Sequence, residues 1–234
     1  MRVFPRLFAA SLFVLLAACA TVPPPPTPTG NPGRDAWDSL VNGNRSFQTG
    51  SIAYSGLNRR LDSQNPPITM LACSDSRVPP ELVFHQSLNR LFIVRSAGNI
   101  ADAFGIASIE YAITKGYTKL LVVLAHEKCG AVEESIPGEP EPGKPTESLY
   151  ALVMRIRDSF LPPNCGMADQ GCWTRRTREN AQFAVEDLKK RSPVIKKAID
   201  EDRLPVVVAY YDLDRNVTVW QSINIDIPVL ASHE

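Results

Sequence analysis

Cys73, and the pair His126 and Cys129, are the residues whose types suit a soft metal ion, and the His-x-x-Cys spacing lets both side chains reach one ion from a single turn. Two thiolates and one imidazole favour zinc, and three protein ligands leave the fourth tetrahedral corner open, as in a catalytic rather than a structural site. The chain holds five cysteines and three histidines in 234 residues, so core thiols and a solvated imidazole are the competing reading of this trio. Asp75 and Arg77 follow Cys73 in the string Cys73-Ser74-Asp75-Ser76-Arg77 and add a second kind of chemistry. A carboxylate gripped by a guanidinium through a bidentate, charge-assisted bond can accept a hydrogen from water beside a metal and orient the oxygen lone pair. Two cysteinates cancel the charge of zinc, so such a centre acidifies water less than three neutral histidines would, and a nearby acceptor helps.

These side chains work together only if the chain delivers them to one edge. Residues 68–72, 91–94, 120–125 and 205–211 are short apolar runs, the pattern of buried parallel strands covered by helices on both faces. Residues 217–222 follow closely enough to be an antiparallel partner at the sheet edge. Ile106, Ile109 and Ile113 repeat at helical spacing within 102–115, with Gly116 placed to cap the end; Ala181, Ala184, Val185 and Leu188 form a second stripe. Ser192-Pro193 reads as an N-cap with proline at the first helical position, restarting a helix through Val194, Ile195, Ala198 and Ile199. An earlier helix, about 35–47, shows Trp37, Leu40 and Val41 on one face with little nearby sequence to cover it, and is expected to pack on another subunit. Residues 137–145, rich in Pro and Gly, read as a loop. The fold class is therefore α/β, a mainly parallel central sheet of about four strands plus an edge strand, flanked by helices. Cys73 follows the first strand and His126 with Cys129 the third, on the carboxyl edge where open parallel sheets bind ligands.

The strings CSDSR (73–77), FIVRSAGN (92–99), Glu110-Tyr111-Ala112, HEKCG (126–130) and YYDLD (210–214) resemble the β-class carbonic anhydrases over roughly residues 36–222. The resemblance implies reversible hydration of carbon dioxide to bicarbonate and a proton by attack of zinc-bound hydroxide. It implies zinc on Cys73, His126 and Cys129, with Asp75 and Arg77 as the catalytic pair. It further implies that Gln64 hydrogen-bonds bicarbonate and that Gly130 leaves room for substrate. Phe92 and Tyr111 would line the pocket across the interface of a homodimer or tetramer. The chain departs from the family pattern at Glu127, where Ser or Thr is common and a solvent-facing side chain is expected. It departs also at Asn89-Arg90, at Ser96, and at Met70, which stands where one regulated subgroup has Trp. In some relatives the counterpart of Asp75 leaves its Arg at low pH and closes the metal site; activity is expected to rise with pH as zinc-bound water ionises and Asp75 returns to Arg77. Carbonyl sulfide or carbon disulfide hydrolysis is the neighbouring activity of this fold. A non-catalytic zinc-stabilised binding module is the reading from another class, and the Asp75–Arg77 pair counts against it.

Outside these motifs, Cys165 and Cys172 in CGMADQGC read as a loop disulfide, with free thiols or a second metal site as alternatives. Closing that short loop contributes on the order of 2.5 kcal/mol by the chain-entropy account. His85 and His233 stand in no motif and read as structural or solvated, His85 serving as a proton relay only if it faces the cleft. Arg2 and Arg6 precede an apolar run, 7–18, that is too short to span a bilayer and closes on Leu16-Ala17-Ala18-Cys19. That string resembles a bacterial lipobox, with an ordinary cleaved secretory signal as the alternative. The expected organisation is a lipoprotein signal peptide at 1–18, a Pro-rich tether at 19–34 anchored by lipid on Cys19, and a catalytic domain at 35–234. Ala20, which is not the Asp that retains lipoproteins at the inner membrane, favours the periplasmic face of an outer membrane. Twenty-five basic side chains balance twenty-five acidic ones, so no global field gathers nucleic acid.

Overall fold

The computed structural model describes residues 27–50, 61–136, 146–166 and 169–227. The expected signal, Cys19, the 137–145 loop and His233 lie outside the described residues.

Five strands form one sheet in the order β2-β1-β3-β4-β5: β1 Ile68–Cys73, β2 Leu91–Ser96, β3 Leu120–His126, β4 Val206–Tyr211 and β5 Val217–Ile223. All neighbours are parallel except β5, which returns antiparallel beside β4. The order reverses at β1, with β2 on one side and β3 on the other, so the crevice between the carboxyl ends of β1 and β3 is the topological switch point.

Alternation along the buried strands feeds two core layers. Met70, Ala72, Val122, Leu124, Val207 and Ala209 point to one side, while Leu71, Leu121, Val123, Ala125, Val206 and Val208 point to the other. Three helices supply the second layer: α3 (Ala103–Thr114), α6 (Gln170–Arg191) and α7 (Pro193–Asp200). The first layer is closed by α1 (Pro32–Gln48), α2 (Pro80–Val83), α4 (Gly130–Glu133) and α5 (Glu147–Arg157). Among the described residues no helix is long and apolar enough to cross a membrane.

The caps read from sequence at Gly116 and Ser192 are in place, and Asp102 adds one that was not read. Asp102 accepts from Gly105 N at 2.7 Å, Ser192 Oγ accepts from Ile195 N at 3.1 Å, and Gly116 takes a left-handed φ of +75° after α3.

Several expectations need correction. Trp37 and Leu40 are buried against their own chain, not against a second subunit. The cover comes from β3, α2 and Phe84, far away in sequence; Gly43 passes so close to the Phe84 carbonyl that a Cβ would overlap it, and Asn44 Nδ2 donates to Val83 O at 2.9 Å. That helix also begins three residues earlier than expected, because Asn31 caps it by accepting from Gly33 N and Arg34 N. β2 is half-buried rather than buried, since the edge strand has a neighbour on one side only. Cys172 lies in the first turn of α6 rather than in a loop, and is bonded to Cys165 with their Cα atoms 5.7 Å apart.

Candidate metal centre

β1 ends at Cys73 and β3 ends at His126, and the tight turn 127–129 brings Cys129 back to the same point as the residue before α4. Lys128 adopts a left-handed φ of +51° to make that reversal. The three ligand atoms lie within 4.8 Å of one another, and all three residues are buried. The two sulfurs are 3.9 Å apart.

His126 is held in one orientation. Its Nδ1 lies 2.9 Å from the Glu127 carbonyl, an acceptor only, so Nδ1 carries the hydrogen and the Nε2 lone pair faces the sulfurs. Nε2 is buried with no hydrogen-bond partner. An orphaned imidazole nitrogen beside two buried thiols fits zinc: the metal satisfies the nitrogen and replaces the protons of the sulfurs. The thiol pair is already poised to lose a proton. The hydrogen bond from Cys129 is the main reason the Cys73 thiol falls from 9.0 to about 4, burial opposing it and His126 adding to it; the Cys73 thiolate in turn pushes Cys129 up. The Gly98 N–H also points at Cys73 Sγ, 3.3 Å away. Gly98 has a φ of +68°, and a Cβ there would stand 2.6 Å from Ile156 Cδ1.

Asp75 and Arg77 form the expected fork. Arg77 Nε donates to Asp75 Oδ1 at 2.9 Å and Arg77 Nη2 to Oδ2 at 2.7 Å, while the Arg77 backbone N–H adds a third bond to Oδ1 at 2.9 Å. The guanidinium hydrogen bond, opposed by burial, holds the Asp75 carboxyl at about 2, below its ordinary 3.8. Asp75 Oδ2 lies 3.9 Å from His126 Nε2, so the carboxylate sits beside the metal corner. Arg77 Nη2 also donates to Lys128 O at 2.9 Å, and Arg95 ties the backbone of both sides together by donating to Cys73 O and Asp75 O, each at 2.8 Å. Gly130 opens α4 beside Cys129, and a Cβ there would meet nothing within 4 Å, so the position borders open space.

Gln64, Phe92 and Tyr111 are brought to the other end of the strands. Phe92 pairs with Thr69, four residues before Cys73, or about 13 Å along the strand. Its ring is 6.2 Å from that of Tyr111. Gln64 is exposed in a hollow with Leu88, Asn89 and Leu91, at the amino end of β2. Within one chain these residues do not reach the metal centre. Glu127 does not simply face solvent, as the sequence suggested: its Oε2 accepts from Leu213 N at 2.9 Å, tying the metal turn to the β4–β5 connection. Arg95 and Trp173, whose Nε1 donates to Cys129 O at 3.1 Å, are contributors that sequence reasoning missed. Arg95 stood inside a recognised string; nothing in the sequence pointed to Trp173.

An open parallel α/β sheet with a buried Cys-His-Cys trio at its switch point defines a zinc-dependent enzyme class. The carbonic anhydrase family profile matches residues 68–217. Carbonic anhydrase 2 of Mycobacterium tuberculosis is 33% identical over 188 residues, covering 76% of this chain and 88% of that protein. The carbonic anhydrase of Mycolicibacterium smegmatis is 37% identical over 139 residues, covering 57% and 67%. Among solved structures, the Coccomyxa β-carbonic anhydrase in complex with acetazolamide superposes with a TM-score of 0.60 at 21% identity, covering 82% of this chain and 84% of that one, a likeness of fold. The chain belongs to the β-class carbonic anhydrase family. Its activity is that of a carbonic anhydrase, and the Cys73, His126 and Cys129 group is its zinc site.

Proposed function

We propose that this carbonic anhydrase uses Asp75 and Arg77 as its catalytic pair, completes its substrate pocket with a second copy of the chain, and works as a lipoprotein on the periplasmic face of a bacterial membrane. Zinc held by Cys73, His126 and Cys129 supplies Lewis acidity that brings deprotonation of water toward neutral pH. The chain's own groups do the rest. Arg77 occupies both Asp75 oxygens and keeps the carboxylate ionised, so Oδ2 is an acceptor at every working pH. Asp75 accepts a hydrogen bond from the attacking oxygen, without taking its proton, and so aims the lone pair at the carbon of carbon dioxide. Lys128 O fixes Arg77, so the fork keeps its position as charge shifts. Gly130 leaves the approach clear for a small linear substrate.

The observation that carries the catalytic reading is the Asp75 carboxylate, forked by Arg77, 3.9 Å from the orphaned Nε2 of a buried metal trio. Stopped-flow hydration of carbon dioxide by the zinc-loaded chain tests it. We expect Asp75→Ala to retain zinc and lose about a hundredfold in kcat; an Asp75→Ala variant as fast as the parent refutes the role.

For assembly, the support is that Gln64, Phe92 and Tyr111 lie at the end of β1 and β2 away from their own metal, with Tyr111 43% exposed. The Sordaria macrospora β-carbonic anhydrases, 21% identical with a TM-score of 0.57 for one of them, are described as tetrameric. For export, the support is the lipobox-like string ending at Cys19, the Pro-rich 19–34 segment and the Cys165–Cys172 bond, of a kind that persists in oxidising compartments. Radiolabelled palmitate incorporated by the parent and not by Cys19→Ala is the expected result; equal labelling overturns the anchor.

A further inference from the structure

The turn that carries Cys129 presents successive carbonyls at Glu127, Lys128 and Cys129, and each accepts from a side chain. His126 Nδ1 takes the first at 2.9 Å, Arg77 Nη2 the second at 2.9 Å, and Trp173 Nε1 the third at 3.1 Å. The first two donors belong to a metal ligand and to the catalytic fork. The third comes from α6, which also packs on β3, β4, α7 and α4. A left-handed Lys128 costs on the order of 1 kcal/mol, so the turn holds its shape because its surroundings over-determine it.

Trp173 does not act alone on that helix face. Asn180, seven residues further and therefore on the same side of α6, donates from Nδ2 to Gly98 O at 2.7 Å. Gly98 is the residue whose N–H meets Cys73 Sγ. One face of α6 thus reaches the backbone behind both sulfur ligands. The start of the helix is in turn tied down next to Trp173, because Cys172 is fully buried and bonded to Cys165.

We propose that Trp173 is a positioning residue for zinc retention, holding ligand Cys129 through its backbone carbonyl, and that the Cys165–Cys172 bond keeps the indole in place. The inference rests on the zinc site described above, and its test does not depend on turnover. Cys129 O also accepts from Val132 N at 3.1 Å and Glu133 N at 3.0 Å, the opening bonds of α4. Removing the indole N–H therefore leaves the carbonyl paired but takes away the side-chain bond that ties the metal turn to α6, and the ligand sulfur behind it gains freedom. Partners of this outer kind change metal affinity by about 10- to 100-fold when removed.

The experiment follows transfer of zinc from the full zinc-loaded chain, disulfide intact, to excess 4-(2-pyridylazo)resorcinol. Trp173→Phe keeps the ring and deletes the N–H; we expect zinc release about tenfold faster, together with an altered sulfur-to-metal absorption band in the cobalt-substituted protein. Cys165→Ser is expected to accelerate release to a smaller degree. Trp220→Phe is the control, because the Trp220 Nε1 is buried with no hydrogen-bond partner and its ring stacks 4.2 Å from Tyr210. It reports general loosening of the core and is expected to release zinc at the parent rate. Release from Trp173→Phe at the parent rate, or equal acceleration by Trp220→Phe, overturns the proposal; release from Cys165→Ser at the parent rate overturns the part given to the disulfide. A parent chain that holds zinc yet fails to hydrate carbon dioxide refutes the enzymatic reading alone.

Discussion

The two ends of the β1–β2 pair are built on opposite terms. At the carboxyl end, Cys73, His126 and Cys129 are buried, and Asp75, Arg77, Arg95, Trp173 and Gly98 supply a hydrogen bond to nearly every group that fixes them, all from one chain. At the amino end, Gln64 is exposed, Phe92 is half-buried on an edge strand, and Tyr111 and Leu88 are 43% and 54% exposed. On the proposed function, water activation is complete within a single chain, whereas the wall that selects an apolar substrate is left for another copy to complete. If so, lesions at the carboxyl end should be absolute and independent of assembly, and lesions at the amino end should be partial and repairable in trans.

The largest effect is expected from His126→Ala. It removes the only nitrogen ligand and leaves two buried thiols that prefer to share a proton. Metal analysis should find no stoichiometric zinc and stopped-flow assays no hydration at any protein concentration; retained zinc would break the assignment of the trio. Asp75→Asn comes next. It keeps the shape of the fork but not its charge, and kcat should fall by about a hundredfold with zinc content unchanged. Because the parent Asp75 titrates near 2, its protonation is not what limits the enzyme between pH 5 and 8. The rise in rate with pH over that window should therefore persist in Asp75→Asn at its lower level. A flat parent profile from acid to alkali would contradict the need for deprotonation.

How much of this was legible in the sequence follows from the range of the interactions. Cys73, His126 and Cys129 could be found because thiols and imidazoles are scarce and stand directly after apolar strand runs. The 91–94 run of β2 is as apolar as the 68–72 run of β1, and its place in the sheet order is what makes it an edge. Burial of Trp37 depends on β3 and Phe84, and the bond from Leu213 N to Glu127 spans 86 residues, so neither leaves a local pattern. α5 went unread because it follows the Pro and Gly cluster and its only fully buried residue is Ile156. The first turns of α6 carry Arg175, Arg176 and Arg178 in place of an apolar stripe, which is why Cys172 read as loop. Arg176 is nonetheless buried, its guanidinium over the Phe160 ring and bonded to Glu179 and to Leu161 O. Trp173 remained invisible because its partner is a backbone carbonyl, which has no signature in side-chain type.

The fork should also carry a stability signal confined to the metal end. The Asp75 carboxyl is depressed from 3.8 to about 2, so its contribution is fully present above the unfolded value and is lost as pH falls through the folded one. With Arg77 half-exposed, that contribution is about 1 to 2 kcal/mol after allowance for solvent screening. In urea unfolding of metal-free protein, the parent should exceed Asp75→Asn by this amount at pH 5, and the gap should close toward pH 2. Taking the difference between the two removes the parallel titration of Cys73. A gap that stays constant on acidification would mean the variant loses packing rather than the ion pair.

The smallest effect bears most directly on the comparison. Tyr111→Ala removes an aromatic wall from a face that, in its own chain, touches Phe92 and Tyr117 rather than the metal. Loss of one apolar contact in a pocket should cost about tenfold in kcat/KM, with zinc unchanged. Mixing Tyr111→Ala chains with His126→Ala chains then separates the two ends. The first has a sound metal centre and a broken wall; the second has a sound wall and no metal. If the wall serves the other copy, each mixed dimer gains one site in which both halves are intact. A statistical mixture should then approach about a quarter of the parent rate per chain, well above either variant alone. If the rate after subunit exchange is only the mean of the separate variants, the aromatic pair serves its own chain, and the division of labour between the two ends of the sheet is wrong.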